Sequence, residues 1–243
     1  MSFVQGRARL LVMVLCLLCA AWPGQAKLHA EAPLEAVTFA LEPGVIYVPL
    51  NEAAAQLHWK AQRDEAGRCI LLHDVAVPAG ALRHFVDGTE LIRTSDLELA
   101  GARASLRVED GRMTFGWGFH RFSLMVSPKR VEVSLAKQEL RAWQGDRLVL
   151  RTHISSGRNN RTPAGNFSAG PFRARMHYSK LFNNAPMPWS VQIYGNVFIH
   201  GFDSVPNYPA SHGCIRVPLD GGNPAKFFYE WVDNGSPVNV VRE

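Results

Sequence analysis

The sequence predicts a mainly β protein: a C-terminal β-sandwich or barrel-like region with one late helix, preceded by a small α+β region. Three observations carry this. From about Phe122 onward, short β-rich runs alternate with Gly- and Pro-containing turns. A single helix-compatible stretch, Asn223 to Val232, interrupts them near the end. Before residue 120, a pattern of strand, short helix and hairpin occurs twice.

The first residues read as an address. Arg7 and Arg9 form a basic region, and Leu10 to Ala21 is an apolar run of about a dozen residues, too short to span a bilayer but right for a signal peptide. Gly24-Gln25-Ala26 supplies the small residues of a cleavage site, so residues 1–26 are expected to be removed. The rival reading is an uncleaved anchor. A lipoprotein is disfavoured, because Leu precedes both Cys16 and Cys19. No later apolar run reaches ~18 residues, so the cleaved chain is expected not to be an integral membrane protein.

Residues 37–50 alternate like strands around the turn signal Pro43-Gly44. Asn51 stands where a cap would precede a short helix, Glu52 to Leu57. Trp59 to Gln62 and Cys69 to His73 read as strands around Asp64–Gly67. Val48-Pro-Leu is echoed 44 residues later by Ile92-Arg-Thr, and Glu65-Ala-Gly-Arg68 by Glu109-Asp-Gly-Arg112. Two units are too few for a solenoid and suit a small domain of paired units over residues 37–115.

In the C-terminal region, Ser123–Val126 and Arg130–Leu135 are β-rich. Glu139–Trp143 and Arg147–Ile154 flank the hairpin signal Gln144-Gly-Asp146. Ser155–Asn160 reads as a loop and Thr162–Gly165 as a turn; Val191–Tyr194 and Val197–His200 are strands around Gly195-Asn196; Pro237–Val241 closes the chain as a strand.

Composition excludes several classes. Hydrophobic residues are 47% and charged residues 19%, so neither a disordered chain nor a fibre fits. The chain is long enough to bury a core without staples. Four cysteines are too few for a disulfide scaffold. The charge is +5; losing residues 1–26 removes two arginines and no acid, so 26 basic against 21 acidic becomes 24 against 21, or +3. That excess has no long basic block and argues for no nucleic-acid partner. Cleavage also removes Cys16 and Cys19, leaving Cys69 and Cys214. Cys69 sits in a strand-like run and reads as a small buried hydrophobe.

Two spots carry chemistry: Ile199-His200-Gly201 at the end of an apolar strand, and Ala210-Ser-His-Gly-Cys-Ile-Arg216. His200 and Cys214 are 14 residues apart, enough for a loop to bring them together. A thiolate is the attacking form of cysteine, and a neighbouring imidazole can take its proton. Gly213 permits close approach of a substrate carbonyl, and the amides of Gly213 and Cys214 are candidate oxyanion donors. Arg216 can fork onto a carboxylate or pin the loop. Other readings stand beside this one. His200, His212 and Cys214 could ligate zinc, but a fourth ligand is not evident. Cys214 could pair with Cys69 in an oxidising compartment. His200 could simply close a strand. His58, His73 and His84 have no tight ligand spacing.

On these residues the C-terminal part, about 120–243, resembles the L,D-transpeptidase catalytic domain (YkuD-type). The signature is His200-Gly201, a loop, then Ser211-His212-Gly213-Cys214-Ile215-Arg216, supported by Ser156-Gly157, Thr162-Pro163-x-Gly165 and the closing Gly235-x-Pro-Val strand. The resemblance implies Cys214 as nucleophile and His200 as general base. It implies that His212 and Gly213 shape an oxyanion pocket, supported by Ser211 and Arg216. Some members carry Ser directly after the base; here that position is Gly201, so a backbone carbonyl is expected to orient the ring. The implied donor is a peptidoglycan tetrapeptide stem, attacked at its third residue with loss of D-Ala. The acceptor is an amine of a neighbouring stem, a lipoprotein lysine, or water, which would make the enzyme a carboxypeptidase. No metal or organic cofactor is implied, and the periplasm or cell envelope is the expected location. Trp189 and Tyr194 are candidates to line the donor groove, or core residues. Residues 37–115 resemble the stalk-like domain of copper amine oxidases, on Tyr47-Val-Pro-Leu50, the Ala-rich helix and the following hairpin. That implies a non-catalytic, wall- or partner-binding module and no copper. A catalytically silent wall-binding scaffold is the alternative from another class, and a cysteine amidase of the wall a third reading.

Overall fold

A computed structural model describes residues 32–78, 80–106 and 112–243. The expected signal peptide lies outside the described residues, as does Glu109-Asp-Gly111 of the second echo. The chain is mainly β, with three short helices among the described residues.

The N-terminal part runs β1 (Leu34–Glu35), β2 (Val37–Thr38), β3 (Ile46–Pro49), α1 (Leu50–Gln56), β4 (Ala61–Arg63), β5 (Cys69–Leu72), β6 (Val75–Ala76), β7 (Arg83–His84), β8 (Glu90–Arg93), α2 (Thr94–Leu99), β9 (Arg103–Leu106), β10 (Met113–Trp117) and β11 (His120–Met125). The two echoing segments meet: β3 and β8 pair antiparallel with Val48 opposite Ile92, and each strand leads directly into its helix. Asn51 does not cap α1. Burial of Leu50 draws the helix start back two residues, with Pro49 at the cap position, and Asn51 Oδ1 instead accepts from Arg63 Nη2 at 2.8 Å. Asp64 organises the β4–β5 turn, its Oδ1 accepting from the amides of Ala66 and Arg68.

The C-terminal part runs β12 (Lys129–Ser134), β13 (Glu139–Gln144), β14 (Arg147–His153), β15 (Gly165–Ser168), β16 (Arg173–Ser179), β17 (Ala185–Tyr194), β18 (Val197–Phe202), β19 (Ile215–Pro218), α3 (Pro224–Trp231) and β20 (Pro237–Val241). Two sheets form, in the orders β14-β13-β12-β20-β15 and β16-β17-β18-β19. The strand at 120–125, read from sequence with this region, belongs elsewhere. As β11 it pairs with β10 and β1, and it buries Phe122 and Leu124 in the N-terminal core.

Helix α3 is locally encoded. The Asn223 side chain accepts from the Lys226 amide at 2.9 Å, and Pro224 takes the first turn, where its missing N–H costs nothing. The helix buries Phe228 and Trp231 completely, in a core with Val133, Leu140, Ile199 and Ile215. Phe39, Tyr47, Phe85 and Leu91 enter the same core from the N-terminal part. Arg83 ties the two parts at their surface, donating to Glu42 and, at 2.9 Å, to Glu230 of α3.

Candidate active site

The site stands on three adjacent strands. β17 and β18 form a hairpin, and β19 lies parallel to β18 with Ile199 beside Ile215 and His200 beside Arg216. Side chains alternate along a strand. Ile199, Ile215 and Val217 enter the core, so His200, Arg216 and Cys214, two residues before Arg216, share the other face. His200 and Cys214 line one cavity of about 50 Å³ together with Phe182, Met187, His212 and Arg216. Cys214 also lines a second cavity of about 200 Å³ with His177, Lys180, Asn196 and Phe198. The thiol therefore faces two spaces.

The loop carrying Cys214 is held by hydrogen bonds from behind. Ser211 Oγ accepts from the Gly213 amide at 3.0 Å and donates to the Cys214 carbonyl at 2.5 Å. Buried Thr162 accepts from the Gly157 amide and donates to the Gly213 carbonyl, both at 2.7 Å. The Ser156 carbonyl accepts from the amides of Ala210 and Ser211, while Ser155 and Arg216 exchange backbone bonds. Gln138 then holds Ser156 from both sides of its amide, accepting from its N–H and donating to its Oγ. Gly157 has no room for a side chain: a Cβ would stand 2.8 Å from Gly213 Cα. Gly213, at φ +146°, needs the freedom of glycine.

This arrangement corrects one expectation. The Gly213 amide is spent on Ser211 Oγ and so is not free to serve as an oxyanion donor. A backbone carbonyl orients the His200 ring. His200 Nδ1 lies 2.8 Å from the Gly201 carbonyl. A carbonyl only accepts, so Nδ1 carries the proton and Nε2 keeps its lone pair. The missing Ser at 201 has a packing reason: a Cβ there would meet Leu219 Cδ2 at 2.4 Å and Ala225 Cβ of α3 at 3.2 Å.

Burial pulls the His200 pKa down to about 4, helped by the charges of Arg216 and His177 and opposed by the Gly201 hydrogen bond. Burial pushes the Cys214 thiol up, opposed by the Phe198 backbone and the Arg216 charge. At neutral pH Cys214 is thus a thiol, donating to the Asn196 carbonyl at 3.5 Å, and His200 a neutral imidazole lining the same cavity. His212 is exposed, stacked on Phe182 with ring centroids 4.4 Å apart. Its Nε2 accepts from Arg158 at 2.8 Å, because a guanidinium only donates. Desolvation and the cations of Arg158, Arg161 and Arg216 lower its pKa. Arg216 lies 3.9 Å over the Phe202 ring, and among the described residues it has no carboxylate partner.

Trp189 and Tyr194 line neither cavity. Trp189 packs on Tyr229 of α3, and Tyr194 lies against Phe167. Phe182, Phe198 and Phe202 surround the thiol instead. Sequence reasoning also missed strand β16 and the parts of Gln138, Arg158 and Phe182. The Ser-Gly…Thr-Pro stretch was the available signal for the clamp. Cys69 and Cys214 are both free thiols, and Cys69 is buried, its Sγ donating to the Leu71 carbonyl.

The L,D-transpeptidase catalytic domain (YkuD) matches residues 128–240. The matched region contains every residue of the site just described. Among solved structures, the chain is similar to the L,D-transpeptidase from Xylanimonas cellulosilytica, with 31% identity over 48% of this chain and 62% of that one, and a TM-score of 0.42. It is similar to an L,D-transpeptidase mutant from Enterococcus faecium, with 26% identity over 48% and 50% and a TM-score of 0.40. An L,D-transpeptidase from Mycobacterium smegmatis aligns over 86% of this chain and all of that one, with 15% identity and a TM-score of 0.42. The chain thus spans about half to three-fifths of the length of the first two. No curated protein matches.

Proposed function

We propose that this chain is an exported cysteine L,D-transpeptidase that works on peptidoglycan stem peptides through a thioester on Cys214. The observation that carries the reading is the shared face of His200 and Cys214, with His200 Nδ1 pinned so that Nε2 is the free base. Cys214 Sγ attacks the carbonyl carbon of the third stem residue while its proton passes to His200 Nε2. Because the resting pair is neutral, transfer accompanies attack rather than preceding it. The tetrahedral oxyanion is met by the Cys214 amide, a donor type worth roughly 3–4 kcal/mol in other enzymes. The C–N bond to D-Ala breaks, the imidazolium returns its proton to the leaving amine, and a thioester remains.

An acceptor amine then attacks the thioester and gives its proton to His200, freeing the thiol. A neighbouring stem would give a 3→3 cross-link, a lipoprotein lysine an anchored lipoprotein, and water a shortened stem. The two cavities meeting at Cys214 give donor and acceptor separate approaches. Arg158, Arg161 and Arg216 make the rim cationic, which suits the free carboxylates of a stem peptide. Ser211 and Thr162 hold the loop, and His212 forms the cavity wall. Export to the periplasm or cell envelope rests on the pattern of residues 1–26.

The test is a product assay on defined muropeptides, beside carbapenem adduct mass. Wild type should give the adduct and either dimers or tripeptides, and Cys214→Ala neither. Equal products from the variant would refute the role of Cys214, and neither adduct nor product from folded wild type would refute the reading in favour of a silent scaffold.

A further inference from the structure

We propose that Arg83 is a positioning residue for His200, acting through helix α3, an inference that rests on the reading of His200 as the base. Strand alternation puts Ile199 and Gly201 on the core face of β18 and His200 on the cavity face. Gly201 links the two faces. Its carbonyl fixes His200 Nδ1, and it packs so closely under α3 that an added Cβ would stand 3.2 Å from Ala225 Cβ. Whatever holds α3 against β18 therefore also holds the base.

The far side of α3 is held by the N-terminal part. Successive helical residues turn by about 100°, so Phe227 stands about 160° around the helix from Ala225. Its ring meets Phe39 and Phe85 edge-on, with centroids 5.7 and 6.0 Å away. The turn leading into α3 abuts the same part: a Cβ on Gly222 would stand 3.2 Å from the Val86 carbonyl oxygen. Near the end of the helix, the Leu41 amide donates to the Glu230 carbonyl at 3.4 Å. The helix is thus clamped between β18 and the N-terminal part at its start, middle and end.

Apolar contact sets how close α3 sits, but it has no direction. Arg83 supplies the direction. Its guanidinium donates to Glu42 and, through Nη1 at 2.9 Å, to Glu230 Oε2, and it lies 4.0 Å over the Phe39 ring. Tyr47 steadies Glu42, its hydroxyl donating to Oε2 at 2.5 Å. The Arg83 and Glu230 side chains are 24% and 18% exposed, so the fork is largely shielded from water and holds one geometry. Lys226, 3.8 Å from Glu230, belongs to α3 itself and so cannot anchor it.

Two readouts on the full chain test this: the rate of carbapenem acylation at Cys214, and the nitrogen NMR pattern of the His200 ring at pH 7, which separates the Nδ1–H tautomer from a mixture. Arg83→Gln should acylate about tenfold more slowly and show a mixed tautomer. Glu230→Ala should do the same, while Glu230→Gln keeps an oxygen for Arg83 Nη1 and should recover most of the rate. Arg63→Gln is the control, because the partners of Arg63, which are Gly67, Glu90 and Asn51, all lie in the N-terminal part. Whatever stability it loses in urea unfolding, it should keep the wild-type rate and tautomer. A wild-type rate and tautomer in Arg83→Gln, or in Glu230→Ala should the first variant fold poorly, would overturn the proposal, and so would an equal loss in Arg63→Gln. An absent wild-type adduct, with the single tautomer still lost in Arg83→Gln, would sink the transpeptidase reading alone.

Discussion

Acidifying the protein from pH 7 to pH 4 is expected to remove about 3 kcal/mol of fold stability through His200 alone. Its side chain is 4% exposed on β18, and burial holds its pKa at about 4, against 6.5 for an ordinary histidine. The gap is about two and a half units at ~1.36 kcal/mol each. The sign follows from which state binds the proton. Between about 4 and 6.5 the unfolded chain protonates this ring and the folded chain does not, so acid favours unfolding. The contribution is complete above 6.5, declines through that window and is exhausted below about 4. Urea unfolding at a series of pH values from 7.5 to 4, on wild type and His200→Gln, measures it. The carboxylates titrate in both proteins, so the difference between the two curves isolates the imidazole. Parallel curves would refute the argument, and so would an imidazole titrating near 6.5 in the folded protein. The same experiment bears on the proposed mechanism, which needs a ring that stays neutral at pH 7.

Two more outcomes follow from the loop and the thiols. Gly157→Ala places a methyl 2.8 Å from both Gly213 Cα and the Thr162 amide nitrogen, backbone atoms that have no rotamer to escape into. It should cost about 1–3 kcal/mol in thermal or urea unfolding and slow carbapenem acylation; an unchanged melting temperature with normal acylation would contradict the clamp. Native thiol labelling should modify Cys214 first, faster as pH rises past 9 because burial pushes that thiol up, while buried Cys69 reacts only on unfolding. Two labelled thiols in the native chain, or none, would contradict the assignment.

The local grammar of the chain was legible. Gly145-Asp146, Gly195-Asn196 and Asp64–Gly67 each mark a hairpin because a tight turn needs particular residues at adjacent positions. Asn223-Pro224 announces α3, since capping is settled within one turn. Ser-His-Gly-Cys and the upstream His-Gly pointed to one place in the fold, and His200 and Cys214 do line one cavity. Where tertiary packing outweighed a local preference, the reading slipped: Leu50 took α1 away from the Asn51 cap, and β11 joined the N-terminal sheet through Phe122 and Leu124.

The sequence by itself thus determined the hairpins, the late helix and the two motifs that hold His200 and Cys214, because each is written in contiguous residues. Tertiary structure alone decided that His200 and Cys214 line one cavity, that Thr162 and Gln138 hold the loop, and that Gly213 spends its amide on Ser211. These depend on strand register and on burial, which are set by residues far apart in the chain.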